Sequence, residues 1–339
     1  MIETKNNKWL NILKYITFFL GFYILFKPRI NYILYKAKVY NTFNPFTFGT
    51  YFALVWCNQN ILILSPLYIG ASYLSNFSLI DVYSSTIICV LMCLFYGIHY
   101  KFKKPITPTL MLIYSLICVS GNVFLKLYTG GEMVVVTVEL IFGLLYMFAM
   151  MKIFESVTLK TITRHLTLMQ VICGGLFIAS LSCGLYSLNI EGFYLIKLFA
   201  SMVVLFSTLT LPVLQSGILT LMVAIGSILY ENNPYLVAPI ILWWVVVSCF
   251  RGRHKIFSAL SLIITEFMCV YYFNFYYSTS ITVILPCLVT AILTILIPKK
   301  YFNNLAESYN ASFLNRGVET LVNRNRNSIH TRLLKLSQV

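Results

Sequence analysis

The stretch 133–151, MVVVTVELIFGLLYMFAMM, contains one charged residue, Glu139, among nineteen positions. The hydrocarbon core of a bilayer is about 30 Å thick, and a helix needs about 20 mostly apolar residues to cross it. This stretch therefore predicts a membrane-spanning helix. Similar apolar runs flank it on both sides, and they extend over most of the chain.

The composition supports the same interpretation for the whole protein. Of 339 residues, 59% are apolar, which is about 200 positions and enough for about ten spans. Charged residues make up 10% of the chain, against about 25% in a typical soluble protein, and the mean hydropathy is +0.81. These values exclude a soluble globular protein and predict an all-α, polytopic integral membrane bundle.

The predicted spans are separated by proline, glycine and polar residues such as Gly130-Gly131 and Asn232-Asn233-Pro234. The segment 46–74 fits either one long tilted span or two short ones. The complete set of predicted spans is 11–26, 46–74, 83–100, 107–125, 133–151, 168–188, 193–214, 216–230, 235–250, 256–274 and 279–297.

The net charge of +15 follows a pattern that favours a membrane rather than nucleic acid as the partner. Basic residues cluster in alternate loops, whereas the loops between them are neutral or acidic. From residue 83 onward this alternation predicts nine crossings and a cytoplasmic C-terminus. The basic clusters are Lys101, Lys103 and Lys104; Lys152, Lys160 and Arg164; Arg251, Arg253 and Lys255; and the tail after Lys299.

The N-terminal segment 1–44 is harder to orient. Lys27, Arg29, Lys36 and Lys38 favour a cytoplasmic loop, which leaves 11–26 as either an interfacial helix or an uncleaved anchor. We expect three parts in the chain: this basic segment, a multi-span membrane domain at 45–298, and a cytoplasmic linker at 299–339.

Three charged residues lie inside predicted spans of the membrane domain: Glu139, Lys197 and Glu266. A lone charge at the bilayer centre costs several kcal/mol, so such residues usually pair, protonate or line a pathway. One interpretation is interhelical packing, for example of Glu139 with Lys197. The other is an ion or proton pathway in a small secondary transporter or permease.

The sequence contains no pattern that indicates an enzyme. Asp81 is the one aspartate in the chain, and hydrolases that hold Mg²⁺ or Mn²⁺ use several convergent carboxylates. The nine cysteines include no CxxC pair and lie mostly in apolar runs, as small buried hydrophobic side chains do. We therefore expect no catalytic residue, no metal site and no cofactor.

The segment 299–339 has apolar residues at helical spacing among seven basic ones. This pattern predicts an amphipathic linker helix that lies on the anionic leaflet or pairs with a second copy. The apolar positions that would mediate self-association are Leu314, Val318, Leu321, Ile329, Leu333 and Leu336.

Four stretches together resemble the N-terminal membrane region of stage II sporulation protein E (SpoIIE), the septal phosphatase of endospore-forming bacteria. The resemblance runs in order and spacing over about 29–339 and includes no catalytic signature. The stretches are Arg29-Ile30 through Asn44-Pro45-Phe46-Thr47-Phe48-Gly49, the Val138-Glu139 helix after Gly130-Gly131, the loop Leu159 to Leu168, and Leu296-Ile297-Pro298-Lys299 with Arg324-Asn325-Arg326 through Leu336-Ser337-Gln338.

This resemblance implies about ten spans, a cytoplasmic linker helix and then a Mn-dependent PP2C-type serine/threonine phosphatase that activates a forespore sigma factor. The present sequence reaches only the linker, so no catalytic residue of that family transfers to it. What the resemblance implies for this chain is a non-catalytic anchoring, localisation and oligomerisation module in the bacterial cell membrane, at the sporulation septum. Its partners would be the lipid bilayer, a second copy, division-septum proteins and a cytoplasmic phosphatase domain.

Overall fold

In the computed structural model, helices account for nearly all of the residues that the structure describes. The prediction of an all-α protein is therefore confirmed. The structure describes residues 3–27, 30–31, 42–57, 59–75, 79–102, 106–128, 133–158, 168–190, 193–231, 237–251, 253–272 and 281–302.

The helices follow the predicted apolar runs, and the ambiguous segment 46–74 forms two short helices. In chain order the helices are α1 (Glu3–Phe26), α2 (Phe46–Trp56), α3 (Ile61–Ser75), α4 (Leu79–Phe102), α5 (Pro108–Tyr128), α6 (Met133–Thr158), α7 (Leu168–Tyr186), α8 (Leu195–Thr210), α9 (Val213–Glu231), α10 (Val237–Cys249), α11 (Lys255–Tyr271) and α12 (Ile281–Leu296).

Two short antiparallel hairpins complete the described secondary structure. Strand β1 (Ile30–Asn31) pairs with β2 (Thr42–Phe43), with Ile30 opposite Phe43. Strand β3 (Asn189–Ile190) pairs with β4 (Phe193–Tyr194) between α7 and α8. The second hairpin turns the chain directly into the helix that carries Lys197.

Four described helices are long and apolar enough to cross a membrane, judged by length and composition. Seven further apolar helices of 10–17 residues accompany them. Large apolar side chains remain exposed on the outer surface, including Leu94, Phe142 and Leu221. This surface is compatible with a location in the membrane, whereas ten complete crossings remain a prediction. The four long segments are Asp81–Phe102, Pro108–Tyr128, Val136–Phe154 and Leu168–Tyr186.

The buried side chains form two clusters, one in each half of the chain. The N-terminal cluster draws on α1 to α7 and contains Phe52, Tyr68 and Met147. The C-terminal cluster draws on α8 to α12 and is centred on Trp243 and Val204. Helix α7 packs against α1 and α6 on one side and against α9 on the other, so it joins the two halves.

Glycine allows the closest helix crossings. A Cβ built on Gly143 of α6 would lie 1.7 Å from the ring of Phe48 on α2. One built on Gly226 of α9 would lie 2.2 Å from the carbonyl oxygen of Ala179 on α7. Small residues at helix interfaces let backbones approach closely, which is how helices associate in the absence of a hydrophobic driving force.

The end of α1 and the start of α6 lie at the same end of the helical bundle. The backbone N–H of Asn44 donates to Glu139 near the start of α6, and the Asn44 side-chain amide donates to the carbonyl of Leu25 at the end of α1. Helix α5 has 21 residues and is about 30 Å long, so this end of the bundle lies opposite the α4–α5 junction. In this fold Lys27 and Lys101 therefore lie at opposite ends of α5, and the side of the membrane on which each lies stays a prediction.

The physical reason is helix packing. Helix α1 runs along α3 and α7, and a Cβ on Gly184 would meet the carbonyl oxygen of Ile24 at 2.1 Å. This close backbone contact near the end of α1 fixes the direction of the helix. The charge bias of the following segment is a weaker constraint than a packed crossing of two full helices.

Candidate functional site

Lys197 and Glu266 form a buried ion pair between α8 and α11. The ammonium nitrogen of Lys197 lies 2.9 Å from Oε1 of Glu266. Glu266 is 0% exposed and Lys197 is 6% exposed. Lys197 lies in the first turn of α8, where the positive end of the helix dipole disfavours a cation. The carboxylate of Glu266 is therefore needed to stabilise the lysine there.

Two further groups complete this charge cluster, which we call the Lys197 cluster and define as Lys197, Trp243, Glu266 and the carbonyl of Val283. The indole N–H of Trp243 on α10 donates to Oε2 of Glu266 at 3.1 Å. The Lys197 ammonium also donates to the carbonyl oxygen of Val283 at 3.4 Å, in the first turn of α12. The cluster therefore joins four helices, and both carboxylate oxygens of Glu266 accept a hydrogen bond.

A second polar contact continues this interface one turn away. The hydroxyls of Ser201 on α8 and Thr290 on α12 lie 2.7 Å apart, and both side chains are buried. Thr290 also donates to the carbonyl of Pro286, four residues earlier in α12. Buried hydroxyls that bond across helices satisfy their own hydrogen-bonding needs and fix the relative positions of the helices.

A small cavity lies beside the Lys197 cluster, between the end of α7 and helices α8, α9 and α10. Its polar lining comes from Lys197, Ser227, Tyr186 and Trp243. The remaining lining residues are Ile196, Ala200 and Ile240. Lys197 is thus a lining residue of this small, mostly apolar cavity, while its ammonium donates to Glu266 and to the carbonyl of Val283.

Glu139 forms a separate ion pair with Lys126. The Lys126 ammonium lies 2.7 Å from each carboxylate oxygen of Glu139, and it joins the last turn of α5 to the second turn of α6. These positions suit both helix dipoles, since the cation is at a C-terminus and the anion near an N-terminus. Asn44, which precedes α2, contributes a backbone N–H to the same carboxylate at 3.3 Å.

The structure therefore brings the three predicted residues into two separate clusters. Glu139 and Lys197, suggested from the sequence as partners, do not pair; each has a nearer partner of opposite charge. Lys126 and Trp243 were missed. Lys126 directly follows the predicted span 107–125, so it was not counted among the charges inside the membrane. Trp243 had no distinguishing signal within its apolar run.

Metal-binding residue types and cysteines are the remaining candidates for a site. No three His, Cys, Asp or Glu side chains lie close enough to hold a metal ion in the described part of the chain. All nine cysteines are free thiols, and most are buried. Leu314, Val318, Leu321, Ile329, Leu333 and Leu336 lie outside the described residues, so the linker helix stays a prediction.

Comparison with known proteins adds no relative. No family model matches the chain, and neither a curated protein nor a solved structure matches it significantly.

Proposed function

We propose that this chain is a non-catalytic, multi-pass membrane module that anchors, localises and self-associates. In this proposal it crosses the bacterial cell membrane about ten times, places its C-terminus in the cytoplasm and positions a cytoplasmic domain or partner. The resemblance to stage II sporulation protein E supplies the cellular setting, which is the sporulation septum and its division proteins.

The observation that best supports this proposal is the arrangement of the buried charges. Glu266 is fully buried, and both of its oxygens are held by residues of two other helices. A carboxylate in a conduction pathway must exchange its partners for water or an ion during each cycle. Here the ionic groups connect α8, α10, α11 and α12, which favours a rigid packing role.

The contacts that the chain makes where it leaves α12 also support this proposal. The Lys255 ammonium at the start of α11 donates to the carbonyl oxygens of Ile295, at 2.5 Å, and of Ile297. Phe302 is 5% exposed, and its ring lies 5.4 Å from that of Phe206 on α8. The chain is therefore held against the bundle just before the segment proposed to act in the cytoplasm.

The test is localisation and self-association of the full chain. A copy fused at its C-terminus to a fluorescent protein should concentrate at the asymmetric septum of a sporulating bacterium. Two differently tagged copies should co-purify in a mild detergent. An unrelated multi-pass protein with the same tag, expressed at the same level, serves as the control. Uniform membrane fluorescence together with failure to co-purify would reject the proposal.

A secondary transporter or permease that uses Glu139, Lys197 and Glu266 is the alternative. The cavity lined in part by Lys197 favours it, because a buried lysine beside a space is what an anionic substrate group would require. Purified protein in proteoliposomes should then show substrate flux that Lys197→Met and Glu139→Gln abolish. No flux with a broad panel of amino acids, sugars and ions would count against transport.

A further inference from the structure

Five basic residues gather where the chain leaves α12. We call this surface the exit rim and define it as Arg251, Arg253, Lys255, Lys299 and Lys300. The first three lie in or next to the turn between α10 and α11, and the last two follow α12. The contact of Lys255 with the end of α12 brings the two groups together although more than forty residues of sequence separate them.

Lys255 has a different role from the other four. Its ammonium donates to the backbone carbonyls of Thr294, Ile295 and Ile297, at the C-terminal end of α12. A helix C-terminus carries a partial negative charge that would repel an anion. Lys255 offsets this charge, so the electrostatic field at the exit rim is set by the remaining four cations.

Those four cations have no carboxylate partner in the described part of the chain. Arg253, Lys299 and Lys300 are exposed, and Arg251 is half-buried. The described carboxylate closest in sequence, Glu266, is inside the bundle, where Lys197 and Trp243 hold its oxygens. Among the residues that the structure describes, the rim is therefore a positive surface that no carboxylate offsets.

The neighbouring aromatic residues suit a position of this surface at the membrane boundary. Tyr301 is 64% exposed beside Lys300, whereas Phe302 packs inward against Phe206. Tyrosine is enriched where apolar side chains give way to lipid head groups. A positive surface at this depth faces the phosphates of the leaflet rather than bulk water, and anionic head groups match its charge.

We propose that the exit rim binds the head group of an anionic phospholipid, with Arg253 and Lys299 as the principal phosphate contacts. The turn that carries Arg253 and the segment that carries Lys299 are held together by Lys255, so one phosphodiester can bridge them. Binding of the lipid would tie the start of the C-terminal segment to the membrane surface. This inference does not depend on what the module localises.

The experiment measures lipid binding to the full chain purified in a neutral detergent. Short-chain dioctanoyl phosphatidylglycerol is titrated by native mass spectrometry, with dioctanoyl phosphatidylcholine as the neutral lipid. The variant Arg253→Gln/Lys299→Gln is compared with Lys101→Gln/Lys152→Gln, which removes two exposed charges elsewhere. All four substitutions are at exposed positions, and size-exclusion profiles check that both variants remain folded.

We expect phosphatidylglycerol to bind in preference to phosphatidylcholine. The rim variant should weaken that binding about tenfold or more, and the control variant should leave it nearly unchanged. Equal losses in the two variants, or equal binding of the two lipids, would overturn the proposal. Full competition by inorganic phosphate at a concentration similar to that of the lipid would assign the site to a free anion and would overturn the lipid assignment.

Discussion

The Lys197 ammonium lies 2.9 Å from Oε1 of Glu266, and the two residues are 69 positions apart in the chain. This contact connects the first turn of α8 to the interior of α11. Trp243 and the Val283 carbonyl extend it to α10 and α12. One ion pair thus joins four helices of the C-terminal half, and its energetics can be measured directly.

Removing one partner of this pair should cost more than removing the charge from both. Lys197→Met leaves the buried carboxylate of Glu266 without its ammonium partner, which should lower the free energy of unfolding by about 3–5 kcal/mol. The double variant Lys197→Met/Glu266→Gln should be more stable than Lys197→Met alone. Denaturant titration in detergent micelles, followed by tryptophan fluorescence, measures each variant.

The control for this cycle is Lys300→Met, which removes an exposed lysine and should change stability by at most about 0.5 kcal/mol. The changes in the free energy of unfolding caused by Lys197→Met and by Glu266→Gln can be summed and compared with that of the double variant. If the sum agreed within about 0.5 kcal/mol, the two residues would not be coupled. The pair would then have no role in joining α8 to α11.

The two adjacent tryptophans of α10 offer a matched comparison. Trp243 donates to the Glu266 carboxylate, whereas Trp244 donates to the hydroxyl of Ser216 at 3.0 Å. Each substitution by phenylalanine removes one indole donor. Hydrogen bonds to charged groups contribute about 1.5–3 kcal/mol, against about 0.5–1.5 for neutral ones. Trp243→Phe should therefore have the larger effect in the same unfolding assay, and the reverse order would contradict the assigned contact.

Glycine positions distinguish close crossings from open helix surface. Gly226→Ala would place a methyl group 2.2 Å from the backbone oxygen of Ala179, so α7 and α9 must separate. We expect a loss of about 1–3 kcal/mol, the usual cost of overpacking. Gly174→Ala meets nothing within 4 Å and should be neutral or stabilising by up to about 1 kcal/mol.

Thermal melting of both glycine variants in the same detergent gives the comparison. Equal melting temperatures would mean that the α7–α9 crossing is looser than the structure has it. Gly175→Ala should fall between the two, because its new methyl group would meet the flexible side chain of Met222 rather than a backbone atom.

The orientation of the N-terminal segment can be tested in cells. The structure places Asn31 and Thr42 at the end of the bundle where α6 begins, and it places the α4–α5 junction at the other end. An epitope tag between Asn31 and Thr42 and a tag after Phe102 should therefore be accessible to protease from opposite sides of the membrane. Access from the same side would restore the orientation predicted from the basic residues.

The sequence predicted the helices well because an apolar run of about twenty residues has few alternatives to a helix in a bilayer. It left 46–74 open, since nothing in the composition of that run separates one tilted helix from two short ones. The structure ends α2 at Trp56 and begins α3 at Ile61. The buried residues Glu139, Lys197 and Glu266 were also predictable, because an ionisable residue within an apolar run must find a partner.

The partners of those residues could not be predicted. Several basic residues could have paired with Glu139 in a helical bundle. The packing of α5 against α6 decided that its partner is Lys126. Trp243 resembled any other apolar residue of its run until α10 placed its indole beside Glu266.

The sequence by itself determined the class of this protein: its apolar content, its scarcity of charge and the spacing of its loops require an all-helical chain suited to a membrane. The tertiary structure alone decided which helices touch, which charges pair and at which end of the bundle α1 finishes. The physical reason is that hydrophobicity is a local and non-directional property that can be summed along the chain. An ion pair or a glycine crossing instead requires two distant segments to meet within a few ångströms.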